Sequence, residues 1–161
     1  MIYNKVTVFF KFLKYWRKAS SKKGHGVHSP FLFDFAVNVL NKIEQCEPDN
    51  NVVHSFSNQI NTKFNRLLSR MAAHYQDHII HIESFSPQST GSFSRYGKLF
   101  ENAGDRDIVV FLAIHASQEA ENQWIEIKKN KKLTCSIDLF FAGIVFFKKD
   151  FKEKLDLMIR F

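Results

Sequence analysis

Glycine, proline and cysteine are all scarce here: six, three and two residues in a chain of 161. So few glycines leave little material for loops that cradle phosphates, and so few prolines point to regular elements with few sharp stops. The two cysteines, Cys46 and Cys135, stand too far apart in sequence for a metal knuckle or a redox pair. That removes the disulfide-framework and zinc-ribbon classes and makes a reducing cytoplasm the expected setting. Long apolar runs are missing as well. Lys5, Lys11 and Lys14 interrupt the early hydrophobic stretch, so neither a signal-peptide core nor a membrane span is expected there. The N-terminal end has no acidic residue at all. Of the 23 Lys and Arg, seven lie between Met1 and Lys23 (Lys5, Lys11, Lys14, Arg17, Lys18, Lys22 and Lys23), where none of the 16 Asp and Glu occurs. The formal charge of +7 therefore belongs to the N-terminal end, and the remainder is neutral. Charge gathered at one end is the tail-like form of an anion-binding signal, and no specific nucleic-acid recognition is expected from it.

What the chain has in quantity is phenylalanine, eighteen residues of it. With 45% hydrophobic and 24% charged residues the composition is that of a folded domain, and 18.9 kDa is enough for one compact core. The periodicity predicts a basic amphipathic helix within 1–23 and a single α/β domain over 24–161. From Ile2 to Lys18, Asn4, Thr7, Lys11, Lys14 and Lys18 recur at helical spacing, with Val6, Phe9, Phe10, Leu13 and Trp16 on the other side. Two uses suit such a helix. It can dock its apolar side on its own domain with the lysines in water, or it can offer cations and aromatic rings to an anionic surface, including a peripheral membrane one.

A polar joint through His25 leads to His28-Ser29-Pro30, where Ser29 as N-cap and Pro30 as first helical residue open a second helix. Phe31, Phe35, Val39 and Ile43 form its apolar face. A loop is expected over 47–59, then a third helix from Thr62 with Phe64, Leu67, Leu68, Met71, Ala72 and Tyr75 inside. Ile79, Ile80 and Ile82 predict a short buried strand, and a weak helical stretch follows around Tyr96 to Phe100. Asp107 to Ile114 predicts a continuously apolar strand covered on both faces. Ser117 opens another helix, acidic at its start and with Lys128 and Lys129 at its end, burying Ala120, Trp124 and Ile127. The segments LTCSIDLFF and IVFF flank Ala142-Gly143 and read as an antiparallel hairpin. Four strands are expected in all.

Three blocks, HGVHSPFLFDFAVNVL, KFNRLLSRM with the strand after it, and WIEIKKNKKLTCSIDLFFAGIVFF ending in MIRF, resemble a bacterial group of class I S-adenosylmethionine-dependent methyltransferases. That group is similar to small-molecule O-methyltransferases and carries an HGxHSPF segment before its Rossmann-like domain. The resemblance implies a reduced Rossmann-like methyltransferase sheet ending in the C-terminal antiparallel hairpin and preceded by N-terminal helices. It also implies an acid and a Gly-rich loop after the first strand, for S-adenosylmethionine. Here that segment is IIHIESFSPQST: His81 stands at the acid, Glu83 at the first glycine and Pro87 at a later one, with Ser84 and Ser86 between and Gly91 too late to restore the turn. Leu112 and Ala113 stand where the family has a pair of acids. The expected outcome is a methyltransferase-like protein that has lost cofactor binding and catalysis and acts by binding or scaffolding. The alternative is an active enzyme whose cofactor site is completed differently, with Asp105 or Asp107 holding the ribose.

Other chemistry is weaker. His74, His78 and His81 have helical ligand spacing, but a strand starting near His78 separates them. His25, His28 and His115 are candidates to line a pocket. His115 ends a strand, with no partner acid evident nearby in sequence. Lys128, Lys129, Lys131 and Lys132 add to a basic surface, and a sheet edge that has lost its neighbour favours a homodimer.

Overall fold

A computed structural model describes residues 2–20, 29–41, 62–85, 92–149, 151 and 153–161. The chain falls into two compact units, Met1–Ser20 with Ile79–Phe161, and Ser21–His78.

The first unit is a mixed α/β structure. Helix α1 spans Lys5–Lys18 and is capped by the side chain of Asn4, which accepts from the backbone N–H of Thr7. Strands β1 (Ile79–Ser84), β2 (Asp107–Leu112), β3 (Cys135–Asp138), β4 (Ala142–Phe146) and β5 (Leu155–Met158) form one sheet in the order β1-β2-β4-β3-β5. β1 is parallel to β2 and β3 to β5, while β4 runs antiparallel to both β2 and β3. One reversed strand is thus inserted among four that share a direction. The sheet has one strand more than the four expected, β5, which is only four residues long and has no buried residue.

The helix after β2 follows the periodicity closely. The Ser117 hydroxyl caps Gln118–Lys128 by accepting from Ala120 N–H, with Glu119 and Glu121 in the first turn and Ala120, Trp124 and Ile127 buried. Ser92–Asn102 forms a full helix where only a weak one was expected. Tyr96 and Phe100 from it join Trp124, Ile127, Val109, Phe111 and Val145 in one core, and β2 is out of water on both faces, as its composition predicted. β1, by contrast, is half-buried with Ile79 exposed, because it forms an edge of the sheet.

In the second unit Pro30 begins a helix, α2, over Pro30–Asp34. Ser29 is its extended N-cap residue, although its side chain makes no capping bond. The helix widens into a π-helical segment over Phe35–Leu40, where Asn41 N–H reaches back to Ala36 O at 3.0 Å. Helix α3, Thr62–His74, buries Phe64, Leu67, Leu68 and Met71 as predicted, and Arg70 donates to Leu40 O at 3.2 Å. In chain order the two remaining helices, Ser92–Asn102 and Gln118–Lys128, are α4 and α5.

Two expectations are overturned. The residues Val6, Phe9, Phe10, Leu13 and Trp16, read as the packing side of α1, are all exposed; the docked side is Val8, Lys11, Phe12, Tyr15 and Ala19. The hairpin turn is not Ala142-Gly143. Both belong to β4, and the chain reverses at Leu139–Phe141, where Leu139 N–H donates to Ala142 O at 2.8 Å and Phe140 takes φ 69°. Gly143 answers a packing need instead: a Cβ there would lie 2.6 Å from the buried ring of Trp124. Trp124 is fixed by its own hydrogen bond to Asp138, so it cannot give way cheaply. Gly143→Ala is therefore expected to lower stability by about 1–3 kcal/mol through overpacking. Urea denaturation followed by Trp fluorescence measures it, and an unchanged midpoint would contradict this account.

Candidate functional site

Strands β1, β2, β3 and β5 point the same way, so their C-terminal ends share one edge of the sheet, where open α/β sheets place their ligands. Helix α1 lies along the β2, β3 and β5 part of that edge. Tyr3 N–H donates to Ala116 O at 2.9 Å and Ile2 bridges Ser117 beyond β2. Farther along, the Tyr15 hydroxyl is 2.7 Å from Asp138 O and 2.6 Å from Ile159 O, sharing its proton between the two carbonyls. Ser20 N–H donates to Met158 O at 2.8 Å and Arg160 N–H to Ser20 O at 2.9 Å.

Beneath the helix lies a half-buried ionic cluster built around His115, with the buried carboxylate of Asp138 at its inner end. The chain leaves β2 through Ala113, whose φ of 58° turns it sharply, and Ala113 N–H is held by Phe141 O. This delivers His115 between two carboxylates: Nε2 is 2.9 Å from Asp138 Oδ2 and Nδ1 is 3.1 Å from Glu121 Oε1. Phe140 stacks on the imidazole at 5.1 Å between centroids. Asp138 also accepts from Trp124 Nε1 at 3.2 Å and from Phe140 N–H at 2.8 Å. Glu121 accepts from both Lys11 Nζ, at 3.0 and 2.8 Å, and the Tyr3 hydroxyl at 3.2 Å. The Lys11 ammonium sits 4.4 Å from the centre of the Tyr3 ring.

The charges follow from these contacts. Burial disfavours the imidazolium, but hydrogen bonds and charge from Asp138 and then Glu121 outweigh it and raise the His115 pKa. Burial likewise opposes ionisation of Glu121, yet Lys11 and His115 hold its carboxyl below the usual range. Burial and the charge of Asp138 push the Tyr15 phenol far up. A carboxylate accepts hydrogen bonds, so the imidazolium form of His115 can donate to Glu121 and Asp138 at once. The cluster is a clamp that ties α1 to the β3–β4 turn.

His115 therefore has two partner acids, which corrects the reading that it had none near it. Glu121 is only six residues away and was read as a helix-dipole residue alone, while Asp138 was visible as an acid ending an apolar strand. Lys11, expected in solvent, turns inward to Glu121. Lys5, Lys14, Arg17 and Lys18 are exposed. His25, His28, Lys22, Lys23, Ser86, Pro87, Gly91 and Cys46 lie outside the described residues.

At the β1 end of the same edge the aromatic core closes over the strand. Glu83 pairs in register with Phe111, and Phe85 stacks on Phe111 at 5.4 Å and meets Tyr96 edge-on at 6.0 Å. The Tyr96 hydroxyl reaches Ser84 O at 3.5 Å. His81 Nε2 binds Asp107 Oδ1 at 2.8 Å, and Asp107 Oδ2 accepts from Gly104 N–H at 2.8 Å. Asp107 begins β2 and so stands at the opposite end from Leu112, while Asp105 lies 3.4 Å from Lys149. His74 pairs separately with Asp34 at 2.7 Å. Cys135 packs in the interior, its thiol pushed up to about 12 by burial and by Asp156. In the basic run, Lys128 is paired with Asp156 and Lys129 with Glu126.

The clamp sets a pH dependence. The raised His115 pKa contributes stability that is fully present below its ordinary 6.5 and is lost as pH rises through the folded value. The depressed Glu121 pKa contributes stability present above its ordinary 4.5 and lost as pH falls through the folded value. Denaturation midpoints should thus be highest between these limits and should fall on the alkaline side, a fall that His115→Ala should flatten. The same substitution takes the imidazole away from the buried carboxylate of Asp138 and should cost roughly 3 kcal/mol near pH 6. Tyr15→Phe removes the proton shared by two buried carbonyls and should cost about 1–3 kcal/mol. Urea titrations across pH check all three.

Comparison with protein-family models, with curated proteins and with solved structures finds no match for this chain.

Proposed function

We propose that this protein is a shortened, methyltransferase-like α/β protein that has given up its cofactor and acts by binding or scaffolding. The observation that carries the reading is the filling of the sheet's ligand edge. At β1 the ring of Phe85 occupies the core against Phe111, and Tyr96 approaches Ser84 O, where the resemblance calls for bare backbone next to a nucleotide. A Gly-rich loop admits a ligand because main chain can approach it closely; a carboxylate at Glu83 and a ring at Phe85 do not fit that part. Over β2, β3 and β5 the edge is occupied by α1 and its clamp. Leu112 and Ala113, at the end of β2, supply neither a cation ligand nor a base.

The sheet supports the resemblance in its coarser part. The resemblance implies an antiparallel hairpin late in the sheet, and β3 and β4 form one, with a further short strand, β5, after it. Asp107 supports the inactive reading over the alternative enzyme, because its carboxylate is engaged by His81 and Gly104 at the far end of β2. Calorimetric titration of the full chain with S-adenosylmethionine and with S-adenosylhomocysteine tests the proposal. No heat of binding and no thermal shift are expected, and saturable binding at micromolar ligand overturns it.

A further inference from the structure

Helix α1 is docked by the side that carries Val8, Lys11, Phe12 and Tyr15. Tyr15 and Lys11 make the contacts that hold it, and they turn toward water the side chains that a globular helix ordinarily buries. Phe10 is 64% exposed, Phe9 56% and Trp16 48%, with Val6, Leu13 and Ile2 also open. At 3.6 residues per turn the five that belong to the helix, Val6, Phe9, Phe10, Leu13 and Trp16, lie on one continuous stripe. The stripe is bordered by cations: Lys5 on one side, Lys14 and Lys18 on the other, and Arg17 within its outer margin. Arg160 adds a charge at the C-terminal end, 4.1 Å from the centre of the Trp16 ring. Phe141, 58% exposed, stacks on Phe12 at 6.0 Å and carries the apolar surface on to the β3–β4 turn.

We infer that the outward face of α1 docks in the plane of an anionic membrane surface, its aromatic stripe entering the acyl boundary and its flanking cations meeting lipid phosphates. Charge decides between occupants. With no acid from Met1 to Lys23, a second copy of this helix would bring like charges together around its apolar contact. A nucleic-acid backbone would satisfy the cations but leave the Phe and Leu side chains in water. An anionic bilayer satisfies both, because it presents apolar depth and negative headgroups in the same geometry as the stripe and its borders. Among the described residues no helix is long and apolar enough to cross a membrane, so the association is in-plane. This inference is independent of the cofactor question, and either can fail alone.

The test is sedimentation of the full chain with vesicles of phosphatidylcholine alone and with about one-third phosphatidylglycerol, at low and high salt. Binding is expected only with the anionic vesicles, weakening at high salt, with a blue shift of the exposed Trp16. Phe10→Glu with Leu13→Glu should reduce binding at least about tenfold. Lys14→Glu with Lys18→Glu should do the same and remove the salt dependence. All four positions are exposed, so near-ultraviolet dichroism of the buried core should be unchanged in both variants. Failure to bind anionic vesicles overturns the inference, as does equal binding by the variants. So does a dimer in light scattering that Phe10→Glu dissociates in the absence of vesicle binding, or salt-sensitive binding to duplex DNA with none to vesicles.

Discussion

The carboxylate and carbonyl of Asp138 hold the first unit together. The side chain accepts from His115, from the Trp124 indole and from Phe140 N–H, while the backbone oxygen accepts from Tyr15 and from Ile159 N–H. Helix α1, the loop after β2, helix α5, the hairpin turn and the end of β5 thus meet at one residue. A buried carboxylate is tolerated only when its oxygens are fully engaged, and here each is. The left-handed conformation of Phe140, costly for a bulky residue, is held from both sides, by the bond of its N–H to Asp138 and by the rings of Tyr15 and His115.

That focus explains why α1 sits as it does. Hydrophobic area alone would have turned Phe9, Phe10 and Trp16 inward, since burial of apolar surface is non-directional and scales with area. Hydrogen bonds are directional, and an unmatched buried carboxylate or carbonyl is penalised heavily. The edge of this sheet presents Glu121, Asp138 O and Ile159 O, which Phe or Leu could not satisfy and which Lys11 and Tyr15 do. Polar matching fixed the rotation of the helix, and Phe9, Phe10 and Trp16 were left facing outward.

Much of the fold was legible in local pattern. The Ser117 cap, the continuous run of β2 and the buried side of α5 are each encoded within a dozen residues, and each appears where periodicity placed it. The facing of α1 was not legible, because Val8, Phe12 and Tyr15 make a second apolar strip and only a distant partner chooses between the two. The turn was misplaced for a related reason: glycine next to alanine reads as a reversal, whereas Gly143 is small to admit Trp124, nineteen residues earlier in the chain. The clamp itself was half visible. Its histidine stood out at a strand end, but its acids come from a helix and a strand whose approach only the sheet order reveals.

The docking of α1 also orders events during synthesis. The helix leaves the ribosome before the atoms that receive it, Met158 O and Ile159 O, which belong to residues made long afterwards. The sheet imposes the same delay, since β2 and β3 cannot join until β4 is threaded between them. Until then a segment rich in phenylalanine and lysine has no berth on its own protein, and with the nascent chain still tethered it is open to chaperones and to any negatively charged surface it meets.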